Sequence, residues 1–281
     1  MIFNPYLFYG RIPSIKWIKN SLIVVEACMD KTWEVLNSGH WQFVPIEYRY
    51  CYTLCIILKV ILIILLNISY TIRCIKHWKA LEQWKDLKYL ISVAGSRTVP
   101  IEIGSCYTDE NWSQQLLSFS EFLQKYVLTK GDQVGYLAQH QLFEQIPELK
   151  DDFTIPEYCN FTDNDDVEQP DINAWFGPSG TVSPLHFDPK NNLLCQIFGH
   201  KRVILYHPND SSNLYPYDTR LLNNTAQVDP LNPNYEKWPN FSKAKGLMTY
   251  LRPGEILYIP PKWWHHVTSL TPSFSISFWW S

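Results

Sequence analysis

The chain has 281 residues, 46% hydrophobic and 15% aromatic, with a formal net charge of -3. This suits one large domain, or one domain with a smaller appendage, and supplies neither a basic patch for nucleic acid nor a field that steers charged partners. Seven cysteines without a CxxC pair argue for a reducing compartment and against a disulfide framework or structural zinc, and no signal peptide with a small-residue cleavage site is visible near the start.

Residues 1–29 are aromatic and irregular and carry no assignable function. Asp30 reads as the N-cap of a helix through Trp33 and Leu36, stopped by Asn37-Ser38-Gly39. Pro45 opens a second helix that runs from Ile46 into the apolar stretch Leu54–Leu66, LCIILKVILIILL. A membrane span needs about 20 apolar residues, reached here only by extending to Ile72 and accepting Lys59, Asn67 and Ser69. A buried bundle helix fits the shorter length, with Lys59 snorkelling, and the β-branched character of Val60–Ile64 also permits a strand. Length favours the buried helix; the membrane reading stays open. Residues 30–70 are thus a partial helical N-terminal region.

Ile75–Gly95 is expected to be one amphipathic helix, with Trp78, Leu81, Trp84, Leu87 and Ile91 on its apolar side and Gly95 as its stop. Arg97–Gly104 reads as a strand pointing Val99, Ile101 and Ile103 one way. Asp109–Tyr126 is expected as a helix burying Phe119, Phe122 and Leu123. Gly131–Gly135 is a turn, Tyr136–Gln139 a short strand, and Leu142–Leu149 a short helix or turn. The acidic run Glu157–Pro170 reads as a solvated loop.

From Ile172 the pattern changes to short strands between Gly- and Pro-rich turns: Ile172–Phe176, Leu193–Phe198, Arg202–His207, Gly246–Leu251, Ile256–Ile259, His266–Ser269 and Ser273–Trp279. Such a text suggests a sandwich, barrel or jelly roll, which brings distant strands side by side.

Chemistry concentrates in Asn173–Lys201. His186 and Asp188 are two apart, which on a strand places both on one face. Either His265 or His266 could add a second imidazole, and strand alternation sends these two to opposite faces. Two histidines and one carboxylate with open positions is the usual non-haem Fe(II) oxygenase donor set. Lys201, at a strand start, needs an anion to justify burial beside a metal, and the distal carboxylate of 2-oxoglutarate would supply it. Tyr136, Ser183 and Asn192 are plausible hydrogen-bonding groups for the same cosubstrate. Glu102 is a strand carboxylate able to grip a guanidinium bidentately.

The segments NAWFGPSGTVSPLHFDPKNNLLCQIFGHKRVILYHP, LYPYDTRLLNNTAQVD, LRPGEILYIPPKWWHHV and SFSISFWWS resemble the JmjC family, in particular its small arginyl hydroxylases. HWKALEQW, RTVPIEIGSCYTDENWSQ and GYLAQHQLFEQIPELK extend the resemblance over roughly residues 76–281, and DKTWEVLNSGHW is weakly similar to the family's N-terminal helical region. About Asn67–His77 is short against that pattern. The resemblance implies an α+β fold: a double-stranded β-helix (jelly-roll, cupin-like) core at about 134–281 within a catalytic domain at 71–281, with flanking helices. It implies Fe(II) held by His186, Asp188 and His265, the last chosen over His266 by the Trp-x-His-x-Val ending. It also implies 2-oxoglutarate at Tyr136, Ser183, Asn192 and Lys201, O2 as oxidant, and Glu102, Trp112 and Trp175 around the target side chain.

The function expected is oxygenation of a protein or peptide presenting arginine, with N-methyl-lysine demethylation as the alternative within the class. The absence of a reader module, a zinc-binding cysteine set and a basic run favours hydroxylation. A metal peptidase lacks support because no HExxH helix is present, and the intact donor set argues against a non-catalytic binding module. Direct nucleic-acid binding is not expected. The resemblance implies a nuclear location, with the cytoplasm as a further one.

Overall fold

The computed structural model describes residues 75–281 apart from 105, 110, 130, 132 and 161–168, and before them 21, 24–32, 34, 47–48, 51, 54–55 and 58. The chain divides into two units, Met1–Tyr70 and Thr71–Ser281. In the first, residues 24–32 are helical, so Asp30 is an interior helical residue and not the expected N-cap. The helix is already running upstream, and the Thr32 hydroxyl donates back to the carbonyls of Cys28 and Met29, a bond that needs a formed helical turn. Glu47, Tyr48, Cys51, Leu54, Cys55 and Leu58 are helical, in keeping with a helix opened near Pro45. Trp33, Leu36, Asn37-Ser38-Gly39, Pro45 itself and the run from Lys59 to Ile72 lie outside the described residues. Among the described residues no helix is long and apolar enough to cross a membrane.

In the second unit the expected Ile75–Gly95 helix is two helices, Ala80–Gln83 and Leu87–Ala94. Asp86 is extended and its side chain accepts from the Lys88 N–H, so it ends one helix and caps the next. The break lets Trp84 turn fully inward, where its indole donates to Asp152 at 2.8 Å and its ring packs on Phe143 and Phe274. The buried face of the second helix is Leu90 and Ala94; Ile91, expected inside, is exposed.

Strand β1 (Thr98–Ile103) buries Val99, Ile101 and Ile103 as its alternation requires. Asp109–Tyr126 is not one helix. Ser113–Ser118 is strand β2, antiparallel to β1, and the helix starts only at Phe119 behind a Ser118–Glu121 capping box. SQQLLS has too little apolar surface to bury as a helix, and Leu116 is left exposed; its backbone instead pairs the free edge of β1. Phe119, Phe122 and Leu123 are fully buried, as expected. Strand β3 is Gly135–His140, and two short helices, Leu142–Gln145 and Pro147–Lys150, follow. Within the run expected as a solvated loop, Glu157–Asn160 forms a 3-10 turn that buries Cys159, and 161–168 lie outside the described residues.

The remaining strands are β4 (Asp171–Gly177), β5 (Val182–His186), β6 (Asn191–Phe198), β7 (Lys201–Tyr206), β8 (Leu247–Leu251), β9 (Ile256–Ile259), β10 (Trp264–Ser269) and β11 (Ser273–Trp280). They form a seven-stranded sheet in the order β2-β1-β3-β4-β11-β6-β9 and a four-stranded sheet in the order β5-β10-β7-β8, with every pairing antiparallel. The inner faces meet: Leu194, Leu257 and Ile259 of the large sheet pack with Val203, Leu205, Leu251 and Val267 of the small one. The opposite face of the large sheet is covered by the helices, with Trp78, Trp84 and Phe153 against Phe274 and Phe278. This is an α+β molecule with a cupin-like jelly-roll core. β5 was not among the expected strands because Pro184 sits in its middle. It is an edge strand, where a missing backbone N–H is tolerated.

Candidate metal centre

The β5–β10 ladder puts His186 directly opposite His265, with ring centroids 4.2 Å apart. Asp188 lies two residues past the end of the His186 strand. Its carboxylate oxygens are 3.9 Å from His186 Nε2 and 3.5 Å from His265 Nε2. One ligand atom from each residue falls within 4.8 Å of the others. Register along this ladder shifts between His265 and Val267, with the extra residue on β5 just ahead of His186. Each imidazole has its Nδ1 against a backbone carbonyl, Pro184 O at 2.7 Å and Trp263 O at 3.0 Å. A carbonyl only accepts, so Nδ1 carries the proton and both Nε2 lone pairs face the carboxylate.

Burial, reinforced by the neighbouring His186, lowers the His265 pKa to about 4 and holds the ring neutral. A neutral Nε2 offers no proton to Asp188, whose Oδ2 is buried without a hydrogen-bond partner. The 3.5 Å approach is therefore two lone-pair donors sharing one point rather than an ion pair. Two imidazole nitrogens and a carboxylate oxygen of this kind suit a divalent transition metal and leave coordination positions open. His266 faces the other way, towards Thr268, Arg202 and Asp229, and its pKa is also lowered to about 4 by burial.

Lys201 enters the same space from the first position of β7. The turn before it needs Gly199, which has φ 73° and no room for a Cβ against the Pro272 carbonyl. The Lys201 side chain is 1% exposed, with Nζ 3.3 Å from Tyr136 Oη and 5.6 Å from that ring. Among the described residues no carboxylate pairs with it, and burial lowers its pKa to about 7. A buried cation without a counter-charge is a receptor for an anion. Ser183 and Asn192 are buried beside it, and the Asn192 side-chain oxygen has no partner. Tyr136, Ser183, Asn192 and Lys201 line one pocket with the three metal-ligand candidates and Trp175.

Two of the three residues expected around the target do not line this pocket. Glu102 pairs in register with Tyr136 one strand away, and burial raises its pKa, offset in part by a hydrogen bond from Trp112. Trp112 is more than a third exposed. Trp175 does line the pocket, with its N–H used by Ser277 Oγ at 2.8 Å, so it offers a ring face and no donor.

Tyr107 was missed. Its ring stands edge-on to His186 at 6.5 Å, and its hydroxyl lies 3.2 Å from Thr225 Oγ1, whose backbone bridges to His186. Burial first, then the charges of Asp188 and Glu102, raises its pKa to about 12. The one signal in the sequence was its place in the short link between Glu102 and Trp112. Trp279 was read only as the end of a strand, yet it forms part of the pocket wall.

Residues 71–281 match the family described as the cupin-like domain. Jumonji C domain-containing protein 5 of Drosophila melanogaster is 54% identical over 210 residues, covering 73% of this chain and 52% of that protein. Lysine-specific demethylase 8 of Xenopus tropicalis is 53% identical over 207 residues, covering 74% of this chain and 46% of that protein. The chain thus spans about half the length of the curated relatives it matches. An X-ray structure of E. coli ycfD is similar with a TM-score of 0.39 and 18% identity, over 69% of this chain and 44% of that one. With paired sheets around a His-Asp-His cluster and a match over three quarters of its length, the chain belongs to the cupin-like JmjC-domain family.

Proposed function

We propose that the chain is an Fe(II)- and 2-oxoglutarate-dependent oxygenase that hydroxylates arginine side chains of protein substrates, using O2. The observation that carries this is the pairing of the His186–Asp188–His265 cluster in one pocket with a buried Lys201 that has no carboxylate partner among the described residues. That combination asks for a metal and an organic anion together.

His186 and His265 would present Nε2, and Asp188 one oxygen, to the iron. The backbone carbonyls of Pro184 and Trp263 hold the two rings in the tautomer that ligation requires. Lys201 and Tyr136 would take the far carboxylate of 2-oxoglutarate, and that anion would hold the ammonium protonated. Ser183 and Asn192 would complete its hydrogen bonds. When bound, iron and 2-oxoglutarate supply the oxidising power that inserts one oxygen atom of O2 into a C–H bond, the other atom leaving in succinate with release of CO2. Trp175 and the inner leucines and isoleucines keep water from that chemistry. Glu102, with its carboxylate oriented by Trp112, would pair with the guanidinium of the target.

A second reading, removal of a methyl group from lysine, is favoured by the name of the Xenopus relative, a lysine-specific demethylase. The same site would oxidise an N-methyl carbon, and the product would shed formaldehyde. One incubation separates the readings. The protein is supplied with Fe(II), 2-oxoglutarate and peptides carrying arginine or methyl-lysine, and peptide masses are read. Gain of one oxygen on the arginine peptide is the expected result; loss of a methyl group assigns demethylation, and two fragments assign a peptidase. No succinate under any condition would sink the oxygenase reading. A nuclear location is part of the same proposal, checked by imaging the tagged full chain.

A further inference from the structure

A second cavity adjoins the metal pocket. It has a volume of about 340 Å³ and is lined by Gln139, His140, Gln141, Asp171, Asn173 and Trp279. Trp279 belongs to the walls of both cavities. This volume lies within the ~300–1,000 Å³ range of ordinary ligand sites.

The lining chemistry is selective. Its charged group is already matched, because Asp171 accepts from Lys190 Nζ at 2.6 Å. His140 has a partner too, with Nε2 3.2 Å from Gln145 Oε1. The lining therefore suits neither a free anion nor a bare cation. Gln139, Gln141 and Asn173 bring three carboxamides, each able to donate and to accept. Carboxamides, which both donate and accept, match the alternating N–H and C=O groups of a peptide main chain.

The backbone adds an independent sign. Gln139 has φ 46°, a left-handed conformation rare for a residue other than glycine, asparagine or aspartate. It lies in β3 where the pairing with β4 shifts register between Leu137 and His140. Such a conformation persists where the surrounding structure holds it, so the direction of the Gln139 side chain is fixed by the fold.

Building on the oxygenase reading, we propose that this cavity is a docking subsite for the main chain of the protein substrate beside the residue being oxidised. Gln139 and Gln141 grip the flanking peptide groups, and Trp279 forms the wall shared with the metal pocket. The metal pocket then receives the target side chain while the neighbouring chain lies across the carboxamides. Substrate is selected by possession of an extended flank, with little weight on the charge of that flank.

The test compares rates on two probes with the full chain, Fe(II) and 2-oxoglutarate. One is a randomised peptide pool with a central arginine or methyl-lysine. The other is the same residue as an N-acetyl amide, which has no flanks. The quantity read is the ratio of kcat/KM for the pool to that for the flank-free probe, and this ratio cancels general loss of activity. Wild type should favour the pool by about tenfold or more. Gln139→Gly keeps the left-handed backbone unstrained and removes only the side chain, so it should lower the ratio by roughly threefold to tenfold, the worth of one or two neutral hydrogen bonds. Gln141→Ala should act in the same direction. A pool with no advantage over the flank-free probe, or an undiminished ratio in Gln139→Gly, overturns the subsite while leaving the oxygenase reading in place. Failure of wild type to form succinate with either probe instead overturns the oxygenase reading.

Discussion

His186 and His265 face each other across the β5–β10 ladder with their rings 4.2 Å apart, although 79 positions separate them in the chain. Ladder register therefore sets the spacing of the two imidazoles, while Asp188 comes from the segment just past the strand. The neighbouring His266 points to the far side of the sheet, so the two adjacent histidines should differ sharply. His265→Ala should weaken binding of Mn(II), titrated without oxygen by calorimetry, by more than about tenfold, since even outer partners of ligands cost about that much. His266→Ala should stay within about threefold of wild type. Equal losses in the two variants would mean that the ligand has been misassigned.

Asp188 should be a liability to the metal-free fold. Its Oδ2 is buried and lacks a hydrogen bond, between two imidazoles that present lone pairs. An amide in its place can donate to one of them. Asp188→Asn should therefore stabilise the metal-free protein by about 1 kcal/mol while abolishing the rise in melting temperature that Mn(II) gives the wild type. Scanning calorimetry with and without metal reads both effects. A destabilised metal-free variant would show that the carboxylate has a structural partner.

The strands from Ile172 onward were legible because turn residues punctuate them and most bury alternating or continuous apolar side chains; β8 buries only Leu251. β5 was not, since Pro184 is a breaker in any local reading and only the edge position of this strand tolerates it. β2 was missed for a related reason: SQQLLS has weak preferences, and the open edge of β1 decides its state. The break at Asp86 depended on Trp84 finding Asp152, a partner 68 residues away. At the site, His186, Asp188 and Lys201 stood out by spacing and residue type. Tyr107 did not, because its contact with His186 depends on a link that folds over the sheet. The choice of His265 over His266 came from resemblance; the ladder places His265, and not His266, opposite His186.

Gly199 makes the turn that delivers Lys201. Its φ of 73° disfavours any Cβ, and a Cβ there would meet the Pro272 carbonyl and the Ser273 backbone. Gly199→Ala should destabilise the fold by about 2 kcal/mol or more, measured by urea denaturation, through strain and displaced chain. The response of melting temperature to 2-oxoglutarate should fall as well, because Lys201 is only two residues away. Unchanged stability would show that the turn adopts another conformation.

Lys201 gives the fold a pH signature. Its pKa falls from 10.5 to about 7 on folding because burial penalises the ammonium. Between those values the unfolded chain binds more protons than the folded one. The contribution of this residue to stability therefore rises with pH from about 7 to 10.5, and the full penalty applies below about 7. Lys201→Met keeps much of the volume and removes the charge. It should raise the melting temperature of the ligand-free protein most near or below pH 7 and progressively less towards the upper end of that window. Adding Mn(II) with 2-oxoglutarate should reverse the order, stabilising wild type through the paired ammonium and carboxylate and the variant much less. Scanning fluorimetry of both proteins across this pH range, with and without the cosubstrate, reads the two differences. A gap that stays constant with pH would show that Lys201 is charged throughout, and an equal gain from 2-oxoglutarate in both proteins would remove it from the anion site.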